Sequence, residues 1–124
     1  MPVLYLLNES NKPTVPGDLG IYRNINDVLA YIEPIDVAND EYFLFSTDGR
    51  KHALAANLET GEIAIEPEAE PNHVADVETL LRSHLLYFAD FDKRFSIDRA
   101  TVESATTIEE LVSLIPEEFI CSFK

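Results

Sequence analysis

Between Glu62 and Phe88 the apolar residues change their period, and that change constrains the fold more than any other stretch of the chain. Glu62-Ile63-Ala64-Ile65-Glu66 alternates strictly, putting Ile63 and Ile65 on one face and the acids on the other, as a half-buried strand requires. From there on Val74, Val77, Leu80, Leu81, Leu85 and Phe88 recur at spacings of three and four, the stripe of an amphipathic helix. Pro67 and Pro71 bracket the change around an acidic connector of Glu68, Ala69 and Glu70. A chain patterned this way lays a helix on a sheet.

The strand has partners upstream. Tyr42-Phe43-Leu44-Phe45 is strand-prone, Asp48-Gly49 is a hairpin turn signal, and Lys51 to Asn57 returns as the paired strand before a second turn at Thr60-Gly61. The result is a three-stranded antiparallel meander. The opening segment Met1-Pro2-Val3-Leu4-Tyr5-Leu6-Leu7 reads as a first strand, because it lacks the basic start and small-residue cleavage site of a signal peptide. Asn11 to Gly20, with Pro13, Pro16 and Gly17, reads as a loop.

Three further segments are helical or mixed. Asn24 or Asn26 caps a short helix through Ile25, Val28, Leu29 and Ile32 that Pro34 ends. Thr106 or Thr107 caps a last helix through Ile108, Leu111, Val112 and Leu114, with Glu109 and Glu110 in its first turn and Pro116 as its stop. Phe91 to Thr106 is mixed, and Phe119, Ile120 and Phe123 form a terminal strand or an apolar tuck. The expected fold is one α+β domain over residues 1–124: an antiparallel sheet, a meander of about four to five strands, with two to three helices packed mainly on one face.

Charge bounds the partners. The chain carries 23 Asp and Glu against 9 Lys and Arg, a formal net charge of -14. That excess repels nucleic acid and anionic membrane and attracts basic partners at long range. Disorder does not account for it, since 46% of the residues are hydrophobic. No run approaches the ~18 apolar residues of a membrane span. The single Cys121 has no internal disulfide partner; it reads as a small buried hydrophobe in a reducing compartment, which places the protein in the cytoplasm.

The acids are unevenly placed. From His52 to Leu81 the chain carries Glu59, Glu62, Glu66, Glu68, Glu70, Asp76 and Glu78 with no Lys or Arg between them. Like charges in a cluster repel, so such a run is either a solvated face or a surface for a cationic partner, and these seven residues are the expected partner-binding set. Charge complementarity would speed encounter, while a few apolar or aromatic anchors would hold the complex.

Catalytic and cofactor signatures are weak. His52, His73 and His84 fall on a strand, at a helix start and near a helix stripe, with no compact arrangement implied. Zinc spacings are missing, and Asp90-Phe91-Asp92 fails as a calcium loop because Phe95 stands where glycine is needed and Thr101 where the bidentate Glu belongs. Four glycines form no phosphate-binding fingerprint. The expectation is no enzyme, no metal and no cofactor.

One ordered set of segments carries a resemblance. Ile25-Asn26-Asp27-Val28-Leu29-Ala30-Tyr31-Ile32-Glu33-Pro34-Ile35-Asp36-Val37, then Glu41-Tyr42, then Asp48-Gly49-Arg50 resembles small bacterial proteins of polymorphic-toxin and contact-dependent growth inhibition loci, thought to act as immunity proteins. The resemblance implies a class of function and no contact residues. The expected function is therefore an immunity protein, monomer or homodimer, that neutralises a cognate toxin domain of basic surface, such as a nuclease, through its acidic residues. The alternative is an acidic secretion chaperone that binds an effector segment. An enzyme would show itself by a pocket gathering two of the histidines with carboxylates.

Overall fold

The computed structural model describes residues 3–10, 12, 13 and 15–121. Six strands, β1 (Tyr5–Glu9), β2 (Asp18–Tyr22), β3 (Tyr42–Ser46), β4 (Lys51–Asn57), β5 (Glu62–Pro67) and β6 (Ile120–Cys121), form one sheet in the order β5-β4-β3-β1-β2-β6. The meander is present as β3-β4-β5, with Ala53↔Glu66 and Leu54↔Ile65 as cross-strand partners. Its first turn needs a glycine: Gly49 has φ 90, and an added Cβ would meet Val74 Cγ2 at 2.6 Å.

The sheet departs from expectation in strand number and in direction. Among the described residues it has six strands rather than four or five, and it is mixed, because β6 pairs with β2 in parallel, Ile21 against Ile120. β2 was hidden in the sequence because the turn-forming Pro13, Pro16 and Gly17 run directly up to it; its ladder with β1 supplies the order that local pattern lacked. β6 has only two residues, too few for any periodicity. Phe123, the start of the first strand at Met1 and Pro2, and the first loop residue Asn11 lie outside the described residues.

Helices cover both faces, which corrects the expectation of two to three helices mainly on one. Among the described residues there are five: α1 (Ile25–Tyr31), α2 (Pro34–Ala38), α3 (Val74–Phe91), α4 (Arg99–Ser104) and α5 (Ile108–Ser113). Strand register explains the two layers. Leu6 lies between Ile21 and Phe45, and these pack with Val77, Leu80, Leu81 and Leu85 of α3. The next residue, Leu7, lies beside Leu44 and points the opposite way, packing with Val28 of α1 and Val37 of α2. The central strands are thus sealed on both sides, and Leu6, Leu7 and Asn8 are all buried in succession.

Local chemistry sets the helix ends. Asn24, not Asn26, caps α1 by accepting the Asp27 amide at 3.0 Å. α1 ends at Tyr31, and Pro34 does not stop it but opens α2, where its missing N–H would have had no helical acceptor. Thr107 caps α5 through the Glu110 amide at 3.1 Å, while the Glu110 carboxylate returns to the Thr106 amide. The mixed segment resolves into a 3-10 turn at Lys93–Phe95 followed by α4. Cys121, expected to be buried, is exposed on β6. Among the described residues no helix is long and apolar enough to cross a membrane.

Candidate functional site

The seven acids of the charge run do not share one face. Glu62 and Glu66 stand on the solvent side of the edge strand β5, with Glu59 in the turn before it. Glu68 and Glu70 lie in the connector, which folds back on Arg50: its guanidinium donates to the Glu68 carbonyl at 2.9 Å and to the Ala69 carbonyl at 2.5 Å. The run lacks a cation in sequence, yet the hairpin returns one to it in space. Asp76 and Glu78 begin α3, and at about 100° per residue they leave the helix roughly 200° apart, on opposite flanks. Glu68 and Asp76 are also occupied, since His73 contacts them through Nε2 at 3.2 Å and Nδ1 at 2.8 Å. Glu59, Glu62, Glu66, Glu70 and Glu78 form no ion pair among the described residues.

The three histidines sit in three separate environments. His52 is buried on β4, its Nε2 2.8 Å from Ser46 Oγ, and Ser46 in turn bonds the Asp48 carboxylate. The direction of these bonds follows from valence. A carboxylate only accepts, so the single hydroxyl hydrogen of Ser46 goes to Asp48, and Ser46 Oγ must accept from His52 Nε2–H. A nucleophilic serine needs the reverse, a histidine able to take its proton, so this trio holds the hairpin together rather than activating Ser46. Nδ1 of His52 is then a bare acceptor, buried without a partner. Burial pushes the His52 pKa down. His84 belongs elsewhere, edge-on to Phe88 and Phe119, and burial pushes its pKa down to about 4.

Two recesses gather residues from distant segments, and neither was evident from spacing. The first, of about 230 Å3, brings together Glu9 of β1, Asp18 of β2, Asp36 of α2, and Glu41 and Tyr42 at the start of β3. A shared hydrogen bond with Asp36, and the charge of Asp36, raise the Glu41 pKa above the usual carboxylate range. Tyr31 donates to the Glu9 carboxylate; that bond and burial push the tyrosine pKa up to about 12. Tyr42 donates to Asp36 at 3.3 Å, and the rings of Tyr31 and Tyr42 meet edge to face with centroids 6.3 Å apart. Asp36, Glu41 and Tyr42 fall in the segments that carry the resemblance, whereas Glu9 and Asp18 stand out by no pattern in the sequence.

The second is a groove of about 520 Å3 between the start of β2 and the middle of α3. Leu19, Leu80, His84, Tyr87 and Phe88 give it an apolar character, and Asn8 with the Pro16-Gly17 turn closes one end. The five α3 positions at 80, 83, 84, 87 and 88 fall on one flank of the helix. Tyr87 at its rim and Phe91 beyond it project into solvent, 58% and 74% exposed, with their rings 5.2 Å apart. Asp18 lines both recesses.

Among the described residues no three His, Cys, Asp or Glu side chains are arranged to hold a metal ion, and neither of these recesses gathers two of the histidines. Comparison with family models, with curated proteins and with solved structures gave no match.

Proposed function

We propose that this chain acts by binding, as an immunity protein that neutralises a cognate bacterial toxin domain of basic surface. The observation that carries the reading is the uncompensated acidity of the β5 edge. Glu62 and Glu66 face solvent from one strand with no ion-pair partner among the described residues, in a chain of net charge -14. Self-repulsion of this kind costs stability, and an oppositely charged partner relieves it. Nothing in the mode of action needs a cofactor.

The test is growth rescue. Cells expressing a candidate toxin domain of basic surface should survive when this chain is co-produced, and tagged chain should retain that domain through purification. Charge reversal at Glu62, Glu66 and Glu70 should slow association strongly at low salt and less at high salt. Rates untouched by those changes would remove the β5 edge from the mechanism. Glu68 is a poorer probe, because it also contacts His73.

The secretion-chaperone reading keeps one specific support, the apolar groove beside α3 with Tyr87 and Phe91 exposed at its rim. Retention of an intact effector without growth rescue would favour it.

A further inference from the structure

β5 is the last strand on its side of the sheet, and no further strand among the described residues meets its outer edge. The ladder determines which groups that edge presents. The Glu68 amide donates to the Lys51 carbonyl at 2.9 Å, and hydrogen-bonded pairs alternate along an antiparallel ladder. Glu66, Ala64 and Glu62 therefore bond to Ala53, Ala55 and Asn57 of β4, while the N–H and C=O groups of Ile63 and Ile65 point away from it. The Pro67 carbonyl points the same way. Register is continuous from His52↔Pro67 to Asn57↔Glu62, so no bulge turns the edge aside. We propose, resting on the reading that the chain binds a basic protein, that β5 takes up an extended cationic segment of that partner as an added antiparallel strand. The segment carries lysine or arginine opposite Glu62 and Glu66 and apolar residues opposite Ile63 and Ile65.

Side chains alternate across a sheet, so the two faces of the added strand meet different chemistry. Ile63 and Ile65 are half-buried at the rim of the core around Leu7, Val37 and Leu44, and apolar residues beside them extend that layer. On the other face Glu62 and Glu66 flank Ala64, and their partners across β4 are Asn57 and Ala53, neither of them a cation. A recess of about 260 Å3 opens at the Glu62 end among Ala55, Ala56 and Ala64, with room for the stem of a lysine. Exposed ion pairs contribute little alone, and backbone pairing supplies the affinity they lack. Charge also argues against a second copy of this chain. Glu62-Ile63-Ala64-Ile65-Glu66 reads the same in both directions, so pairing two copies about Ala64 sets Glu62 of each against Glu66 of the other. Like charges directly opposite one another destabilise a sheet. An edge guarded by acids alone repels its own copies and admits a basic strand. The opposite edge is no rival, because β6 has only two residues.

The experiment titrates the full-length, isotopically labelled chain with three capped heptapeptides and follows amide shifts and amide exchange with water by NMR. The probes are Gly-Lys-Val-Thr-Val-Lys-Gly, the same peptide N-methylated at both valines, and the same peptide with glutamate in place of both lysines. N-methylation keeps every side chain and charge but blocks the valine N–H groups that would donate to the Ile63 and Ile65 carbonyls. The first peptide should bind about tenfold more tightly than either control. With about nine-tenths of the chain bound, exchange at the Ile63 and Ile65 amides should slow about tenfold, while the Ala64 amide, already bonded to β4, should be unchanged. Glu62→Gln combined with Glu66→Gln alters exposed side chains only, and it should weaken the first peptide about tenfold and the glutamate peptide not at all. Equal binding of the first and N-methylated peptides, with no protection at Ile63 and Ile65, would overturn strand addition and leave the acidic-binder reading standing. Equal binding of the first and glutamate peptides would overturn the cationic occupant. Protection of Ile63 and Ile65 that rises with the concentration of the chain alone would overturn it in favour of a second copy. No saturation by any probe at millimolar concentration would overturn the site, whereas failure of growth rescue with strand addition intact would count against the immunity reading alone.

Discussion

The side-chain oxygen of Asn8 accepts the backbone amide of Gly17 at 3.0 Å, joining a buried strand to the turn that closes the groove. The same side chain donates to the carbonyls of Pro13 at 3.1 Å and Val15 at 3.0 Å, so its whole amide group works to hold one loop against the sheet. Gly17 lies so close to β1 that an added Cβ would fall 2.0 Å from the Glu9 carbonyl oxygen. Asn8→Ala leaves two carbonyls and an amide without their partner. The expected cost is about 2 kcal/mol in urea denaturation, with faster hydrogen exchange at the Gly17 amide. Unchanged exchange at Gly17 would mean that backbone contacts hold the loop.

His84 makes stability depend on pH. Its folded pKa lies near 4, below the ordinary value of 6.5, so between those values the unfolded chain binds the proton and the folded chain does not. Its contribution is complete above pH 6.5, falls as the pH drops toward 4, and is constant below that. His84→Phe keeps an aromatic ring beside Phe88 and Phe119. Relative to the parent, this variant should gain roughly 2 kcal/mol over the window, read from urea midpoints at several pH values. A pH-independent difference between the two proteins would show that His84 is not buried in its neutral form.

Ser46→Ala tests the proton order in the β3-β4 hairpin. Without the hydroxyl, His52 Nε2–H loses its acceptor at a site where both residues are buried. A loss of about 1–3 kcal/mol is expected. In NMR of the parent, the His52 proton should reside on Nε2, with Nδ1 deprotonated. A proton on Nδ1 would contradict the bond order deduced from Asp48.

Glu41→Gln removes one charge from the carboxylate recess. Since Asp36 raises the Glu41 pKa, the folded chain binds that proton more readily than the unfolded chain, and the ionised form at neutral pH disfavours the fold. The variant should unfold at slightly higher urea at pH 7, and the gain should shrink as acidification protonates Glu41 in the parent.

Local patterns were legible in the sequence. Lys51–Asn57 and the alternation around Ile63 and Ile65 depend on the preferences of neighbouring residues, and both strands lie where the pattern placed them. So does α3, whose Val77, Leu80, Leu81 and Leu85 are buried on the sheet, while Val74 at the start of the stripe is 42% exposed. Pro34 misled because a proline that disfavours a helix interior suits a first turn equally well, and only the chain geometry at Ile32 and Glu33 separates the two cases. Cys121 misled because apolar neighbours imply burial only if something covers them, and β6 is an edge strand.

The sequence by itself determined the periods, the meander, the principal helix and the sign of the charge, because each depends on residues a few positions apart. The tertiary structure alone decided that β2 and β6 pair in parallel, that helices seal both faces of the sheet, and that Glu9, Asp18, Asp36 and Glu41 meet in one recess. Those outcomes depend on register between segments far apart in the chain. That register is selected by burying Leu6 and Leu7 on opposite sides at once, a requirement no local window contains.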